Sequence, residues 1–268
     1  MKEFTKIATD YDKGRSGEDV LFWAGETKEL ASLDEDSILL DLGCGTGLYT
    51  VGLREHISAT TCGLDPSVGM LSQAKEKTNA IHWFNAVGER LPIRSGVFDC
   101  IFSSQVWHHI TEKQDTADEC GRTLNTGGTV VIRTISHEQL RRKVVFQFFP
   151  EIMENQLRVY PTNEEFSRYF SNAGFTSTDF LAYELERYQE ASLLIEVAQK
   201  KLWSMFRPIS QLGLERGVDK LRRHETNHPG KPLRNDETIT LVVVKKRENN
   251  LEQNREIHSF WGALSTVI

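Results

Sequence analysis

The stretch at residues 39–53, LLDLGCGTGLYTVGL, constrains the fold of this chain more than any other. The apolar run at residues 38–40 predicts a buried parallel strand, because a strand covered on both faces needs no polar alternation. Asp41 and three glycines at alternate positions follow it: Gly43, Gly45 and Gly47. Apolar residues then resume at helical spacing, so the stretch predicts a strand, a tight turn and a helix. Glycine allows positive φ and lets a ligand lie against the main chain, where the free N–H groups of the helix start face it.

Two carboxylates indicate which ligand this turn would bind. The dinucleotide fingerprint is G-x-G-x-x-G, whereas here the spacing is G-x-G-x-G and Asp41 stands two residues before the first glycine. A carboxylate there would repel a pyrophosphate and attract a ligand with an ammonium group, such as S-adenosylmethionine (SAM). Asp65 stands at the expected end of the second strand, where a carboxylate accepts hydrogen bonds from a ribose diol. Asp65 alone suits either ligand, but together with Asp41 it favours SAM.

Three motifs follow one another along the chain: DLGCGTG at residues 41–47, the acid at Asp65, and ERLPIRSGVFDCIFSSQVWHHI at residues 89–110. In this combination the chain resembles the class I SAM-dependent methyltransferases, and within them the small-molecule group of ubiquinone and menaquinone biosynthesis. The resemblance covers roughly residues 36–135. It implies an α/β fold, a doubly wound Rossmann-like sheet of seven strands in the order 3-2-1-4-5-7-6, with the last strand antiparallel and a helical lid or insert.

The length of 268 residues suits one methyltransferase domain over residues 1–247, with the core at about 36–135, a substrate or lid region at about 137–235, and a C-terminal tail at 248–268. The formal net charge of −6 disfavours a nucleic-acid partner. The sequence contains no stretch that predicts a membrane span and no signal peptide, so we expect a cytoplasmic protein. The four cysteines are widely spaced without a C-x-x-C pair, which favours buried thiols over a metal site or disulfide.

Local patterns predict the order of helices and strands. We expect strands at residues 38–42, 60–64, 81–85, 98–103, 129–134, 175–188 and 237–247. Helices are predicted at 19–33, 46–56 and 111–125, the third of them stopped by Asn125 and the two glycines that follow it at 127 and 128. A later helix has Asn163 as its expected cap, and residues 191–225 predict one or two amphipathic helices.

The resemblance also implies a set of cofactor-binding residues. They are Tyr11, Arg15, Asp41, Gly43, Cys44, Gly45, Gly47, Asp65, Pro66, Met70, Val87, Gly88, Glu89, Ser103 and Gln105. Tyr11 and Arg15 belong to an N-terminal segment that closes over the cofactor in similar enzymes, although Tyr11 packing on the domain surface is an equal alternative. Val87 departs from the family, which has an acid or Asn there to receive the adenine amino group. Adenine recognition would then fall on the backbone near Val87 and Gly88, or on water.

Methyl transfer from a sulfonium is an in-line displacement, in which the protein holds nucleophile, methyl group and sulfur in line and excludes water. An oxygen or carbon acid also needs a base, and His108 and His109 are the candidates because histidine titrates near neutrality. A structural role in packing or at the helix start is the alternative for His109, and a structural role is also the alternative for His108. An electron-rich carbon nucleophile would need little beyond positioning.

Acceptor specificity is expected in the lid region and the N-terminal segment. The candidate substrate residues are Trp107, His137, Phe146, Phe149 and Tyr160. The lid aromatics could equally form the lid's own core. No metal ion is expected.

The function predicted from these patterns is methyl transfer from SAM to a small, partly apolar metabolite at an O, N or C atom. Two alternatives remain open: a protein or RNA methyltransferase, and a SAM-binding protein without catalysis. The expected partner is a small molecule. A protein substrate stays possible, and the chain could act as a monomer or a homodimer.

Overall fold

The computed structural model of the protein describes residues 17–247, and it builds them around a seven-stranded sheet. The strands of this sheet are β1 Ile38–Leu42, β2 Thr60–Leu64, β3 His82–Phe84, β4 Phe98–Ser104, β5 Leu124–Thr134, β6 Phe175–Leu185 and β7 Glu237–Lys246. Their order is β3-β2-β1-β4-β5-β7-β6. The pairs among β1 to β5 are parallel, and β7 runs antiparallel to both β5 and β6. The predicted fold class and strand order are therefore confirmed.

Helices flank the sheet and form the region between β5 and β7. Their bounds are α1 Gly17–Leu30, α2 Leu48–Ile57, α3 Val68–Lys77, α4 Lys113–Thr123, α5 His137–Arg141, α6 Val145–Phe148, α7 Glu151–Val159, α8 Asn163–Asn172, α9 Ala191–Gln199 and α10 Gln211–Asn227. Short 3-10 turns lie at Trp107–His109 and Ser204–Phe206, and a small ribbon pairs Tyr188–Gln189 with Leu233–Arg234. Over residues 17–247, no helix has the length and apolarity needed to cross a bilayer.

Neighbouring residues of the central strands face opposite sides of the sheet, because side chains alternate along a strand. Leu40 packs in a cluster with Phe166 and Phe170 of α8, whereas Leu39 packs in a second cluster with Trp23 of α1. A third apolar cluster lies entirely within residues 135–233. The lid region thus has a core of its own. The four cysteines are buried free thiols, as the sequence predicts.

The structure corrects two predicted helix ends. The helix α4 ends at Thr123 rather than at residue 125, since Leu124 is extended (φ −72°, ψ 143°) and pairs with Phe98. The predicted stop at Asn125 and the two glycines after it is therefore part of β5. The helix α1 ends at Leu30, before the predicted end at residue 33.

The cap of α8 is Thr162 and not Asn163. Its hydroxyl accepts a bond from the Glu165 N–H, and the Glu165 carboxylate accepts one from the Thr162 N–H, which is a complete capping box. Asn163 is the first helical residue instead. Further along, the predicted amphipathic stretch forms two helices, α9 and α10, separated by the second 3-10 turn.

Candidate active site

The glycine turn between β1 and α2 borders an open cleft at the carboxyl ends of the strands. Gly43, Gly45 and Gly47 all have positive φ, at 77°, 54° and 77°. A Cβ on Gly43 would lie 2.4 Å from the Val106 side chain, so this position needs glycine for close approach. A Cβ on Gly45 would meet nothing within 4 Å. Gly45 therefore leaves open space where a ligand can approach the main chain.

Asp65 holds this turn in place. Its carboxylate accepts bonds from the Gly45 N–H at 3.0 Å and from the Ser67 N–H at 2.8 Å. It thereby joins the glycine turn to the start of α3. A carboxylate has about four lone-pair sites, so Asp65 can still accept bonds from a ligand. Burial raises the pKa of Asp65, against the opposing effect of the two backbone bonds.

Asp41 lies at the end of β1 and is buried. Its Oδ2 accepts a bond of 2.6 Å from the Thr50 hydroxyl. Burial raises the pKa of Asp41 to about 7; the Thr50 bond opposes this change, and the nearby negative charge of Asp65 adds to it. Two carboxylates at one edge of a cleft disfavour a second anion there and favour a cationic group.

The cleft has a volume of about 910 Å³ with its open mouth included. It is lined by Asp41, Gly43, Cys44, Gly45, Thr46, Leu48, Tyr49, Asp65, Pro66, Ser67, Met70, Ser104, Val106 and His109. Eight of these residues were predicted from the sequence. The prediction missed Thr46, Leu48, Tyr49, Ser67, Ser104 and Val106. All of them except Tyr49 adjoin predicted residues along the chain, which is a signal that could have found them.

Several predicted cofactor residues do not line this cleft. They are Gly47, Val87, Gly88, Glu89, Ser103 and Gln105. Gly47 packs instead against Trp83, whose ring would be 2.7 Å from an added Cβ. Ser103 is buried and donates to the Leu42 carbonyl at 3.0 Å, which ties β4 to β1. Tyr11 and Arg15 lie outside the described residues.

We call residues 104–109, which begin with the last residue of β4, the acceptor wall. Three of its side chains line the cleft: Ser104, Val106 and His109. Trp107 points the other way and is fully buried against Phe166 at 5.5 Å and Phe170 at 5.3 Å between ring centroids. The structure thus corrects the prediction for Trp107, which is a core residue here and not part of a substrate wall.

The two histidines of the acceptor wall are both held neutral near pH 7. Burial is the main cause that lowers the pKa of each histidine, and it places the pKa of His108 well below its ordinary value. The pKa of His109 is lowered to about 4 by burial and by the positive charges of Arg207 and Lys113. A neutral imidazole can accept a proton, but a base with so low a pKa does so weakly. Of the two, only His109 lines the cleft.

The lid aromatics predicted to contact substrate form the lid's own core. Phe146 and Phe149 are buried in it, and Phe149 occupies the space beside Gly217. His137 Nε2 bonds to the Tyr160 carbonyl at 2.8 Å, and Tyr160 is buried as well. None of these four lines the cleft formed by the described residues. Across residues 17–247, no cluster of His, Cys, Asp and Glu side chains is arranged to hold a metal ion.

The fold and the cleft together define a class of enzyme. The sheet order with its antiparallel β7, the glycine turn after β1 and the acid after β2 are those implied by the resemblance. A family model described as a methyltransferase domain matches residues 40–132. The chain is a class I SAM-dependent methyltransferase.

Its similarity to known proteins extends beyond that domain. The ubiquinone/menaquinone biosynthesis C-methyltransferase of Campylobacter jejuni is 25% identical over 220 residues, covering 68% of this chain and 92% of the relative. The demethylmenaquinone methyltransferase of Lactococcus lactis is 28% identical over 222 residues, covering 74% and 88%. Among solved structures, an Anabaena variabilis protein described as a methyltransferase of an antibiotic biosynthesis pathway superposes with a TM-score of 0.68 at 20% identity, covering 83% and 96%. That last likeness supports the fold alone.

Proposed function

We propose that this protein transfers the methyl group of SAM to a small, partly apolar acceptor that binds against the acceptor wall. The observation that carries the proposal is a pair of neighbouring carboxylates, the buried Asp41 and the half-buried Asp65, in the cleft that His109 also lines. We assign the catalytic unit to residues 1–247, with a core at about 36–135 and a substrate or lid region at about 137–235. Residues 248–268 are assigned to a separate C-terminal tail.

The charge distribution supports one orientation of the cofactor. The ammonium group would lie near Asp41, because that buried carboxylate gains most from a cation. The ribose diol would donate to the lone pairs of Asp65 that the two backbone bonds leave available. In this proposed orientation the methyl group would face the acceptor wall. Adenine contacts at Val87 and Gly88 remain a prediction, since these residues lie outside the cleft lining.

The residues of the acceptor wall favour methylation of a carbon atom over methylation of an atom that must first lose a tightly held proton. Val106 and Tyr49 give the cleft apolar surface, and Ser104 adds a hydroxyl. With its pKa lowered to about 4, His109 is a weak base. An electron-rich ring carbon needs positioning more than deprotonation. The names of the two bacterial relatives, a C-methyltransferase of quinone biosynthesis and a demethylmenaquinone methyltransferase, point the same way.

The test begins with calorimetric titration of the full-length protein with SAM, S-adenosylhomocysteine (SAH) and NAD. We expect micromolar binding of the two sulfur compounds and none of NAD. Binding of NAD alone would contradict the assignment of the cleft.

The acceptor is tested with methyl-labelled SAM in three reactions, containing a reduced demethylmenaquinone analogue, a protein extract or an RNA extract. Label on the quinone carbon would support the proposal. Label on protein or RNA would favour the macromolecular alternative. SAM binding without label in any reaction would favour a non-catalytic SAM-binding protein.

A further inference from the structure

Tyr160, the lid residue that caps the C-terminus of α7, contacts the acceptor wall at two points. Its hydroxyl donates to Gln105 Oε1 at 3.1 Å. Its ring stacks on the His108 imidazole, with 4.1 Å between centroids and 12° between planes. One lid residue therefore holds two side chains of a wall whose residues Ser104, Val106 and His109 line the cleft.

The two contacts alternate with the cleft-lining residues. Gln105 lies between Ser104 and Val106, and His108 immediately precedes His109. The imidazoles of His108 and His109 are only 3.9 Å apart between centroids. A movement of Gln105 or His108 would therefore displace Val106 or His109 at the surface of the cleft.

Gln105 adopts a backbone conformation that needs external support. Its φ of 56° lies in the left-handed region, which is unfavourable for a residue with a Cβ. Such conformations persist where the surroundings hold them, and they concentrate at functional sites. Here the Gln105 N–H donates to the Arg133 carbonyl at 2.8 Å, and the Tyr160 hydroxyl holds the side chain.

His108 is held by ring contacts more than by hydrogen bonds. Its Nδ1 is buried and bonds to no residue in the part of the chain that the structure describes. The Tyr160 ring stacks on the His108 imidazole. The Tyr160 backbone is itself held in place, because its N–H donates to the Gln156 carbonyl at 3.0 Å and its carbonyl bonds to the His137 ring. Tyr160 is thus a fixed support for His108.

We propose that Tyr160 is a positioning residue, which acts through Gln105 and His108 to set where Val106 and His109 stand against the acceptor. The inference rests on the proposed function only in assigning this wall to the acceptor. Tyr160 would then act by positioning other residues and not by contacting the substrate directly. Through Tyr160 the lid is linked to the acceptor wall.

The titratable and charged groups around His109 come from three elements. The neutral His108 lies beside it on the same turn, Lys113 begins α4, and Arg207 follows the second 3-10 turn. Lys113 in turn faces Glu112 and Glu165. Tyr160 adds no charge to this set. Its removal would alter the titration of His109 by admitting water to the imidazole pair.

The test uses full-length protein labelled with ¹³C at histidine rings and valine methyl groups, with signals assigned from H109Q and V106A. Y160F removes the hydroxyl bond to Gln105 and keeps the ring stack, so we expect the Val106 methyl signals to shift while His109 titrates as in the unaltered protein. Y160L removes both contacts, so we also expect the pKa of His109 to rise from about 4 toward the ordinary value of about 6.5. Y188F is the matched control, because Tyr188 is exposed and its hydroxyl bonds to Glu186 on the surface.

Two results would overturn the proposal: Val106 methyl signals of Y160F at their unaltered positions, or a Y160L protein in which His109 titrates as before. If Y160L does not fold, the Y160F spectrum decides. SAH titration of the unaltered protein tests the proposed function separately. Shifted signals without SAH binding would keep Tyr160 as a positioning residue and contradict the methyl-transfer assignment. SAH binding with unshifted signals would support the methyl-transfer assignment and contradict the positioning role of Tyr160.

Discussion

The Thr50 hydroxyl donates a hydrogen bond of 2.6 Å to Oδ2 of Asp41, and both side chains are buried beneath the glycine turn. The bond joins the first turns of α2 to the end of β1. It stabilises the carboxylate, yet burial still raises the pKa of Asp41 to about 7. Asp41 therefore changes its charge near neutral pH, in the place where we expect the cofactor's ammonium group.

The ligand-free protein should lose an Asp41-linked part of its stability as the pH rises from about 4 to about 7. The folded pKa is about 7, and an unfolded aspartate titrates near 3.9, so the folded state binds the extra proton in this window. The slope from this group is about 1.4 kcal/mol per pH unit. Urea unfolding of D41N and the unaltered protein at several pH values should show D41N gaining relative stability as the pH rises.

Two comparisons isolate this effect. D36N, which alters an exposed carboxyl before β1, should show no such pH-dependent gain. His108 and His109 act in the opposite direction, because their lowered pKa values cost stability as the pH falls below about 6.5. That contribution is common to D41N and the unaltered protein and cancels in their difference. A difference that does not vary with pH would contradict the assigned pKa of Asp41.

SAH binding should release a proton from Asp41 between pH 6 and pH 7. An ammonium group beside the carboxylate favours its charged form and so lowers the pKa of Asp41 from about 7. Calorimetry in two buffers with different ionisation enthalpies measures this proton as a difference in apparent binding enthalpy. D41N should bind SAH more weakly and release no proton from this site. Equal release by both proteins would place the ammonium group elsewhere.

Replacing Asp65 by Ala should weaken SAH binding by roughly 10- to 100-fold, because a hydrogen bond to a charged group is worth about 1.5–3 kcal/mol. The loss has two sources, the ribose contact and the support that Asp65 gives to Gly45 and Ser67. D99A is the matched control, since Asp99 also accepts a backbone bond, from Ile38 at 2.8 Å, but at the opposite end of the strands. It should cost stability and leave SAH affinity nearly unchanged. An unchanged dissociation constant for SAH in D65A would contradict the proposed contact between Asp65 and the ribose.

Gly43→Ala and Gly45→Ala should fail in different ways, although both residues have positive φ. At Gly43 the new methyl group would meet Val106 at 2.4 Å, so we expect a loss of stability beyond the roughly 1–2 kcal/mol cost of the left-handed conformation. At Gly45 it would enter open space in the cleft, so only the conformational cost falls on stability and SAH binding suffers most. Thermal unfolding and SAH titration of both variants separate these effects. Equal stability of the two proteins would contradict the Val106 contact.

Thr162→Ala should destabilise the protein by about 1 kcal/mol, because it removes the hydroxyl that caps α8. Asn163→Ala provides the comparison at the neighbouring position, which the sequence favours as the cap and the structure places inside the helix. We expect its effect to stay within about 0.5 kcal/mol. Urea unfolding of both variants at one pH measures the difference. A larger loss of stability in N163A than in T162A would favour Asn163, the cap predicted from the sequence.

Local patterns were sufficient for β1 and β2 and for the cofactor edge of the cleft, whereas β5 begins five residues before its predicted start. β1 and β2 have the predicted bounds because each is a short apolar run bordered by a turn. Gly43, Gly45 and Asp65 meet in the cleft because their spacing follows from one strand, one turn and the next strand. Each of these elements is specified by residues close together in the chain, so the local pattern of apolar residues and glycines is enough to predict it.

The acceptor edge depended on contacts between distant residues. The SQVWHHI segment after β4 contains residues that face the cleft, the lid and the core in turn, and no periodic pattern distinguishes them. Trp107 faces inward because Phe166 and Phe170 provide an aromatic cavity about sixty positions away. Gln105 and Tyr160 are 55 positions apart. Apolar composition alone could not tell whether the lid aromatics surround a substrate or one another, because burial satisfies them equally in both arrangements; only the packing of the helices decided it.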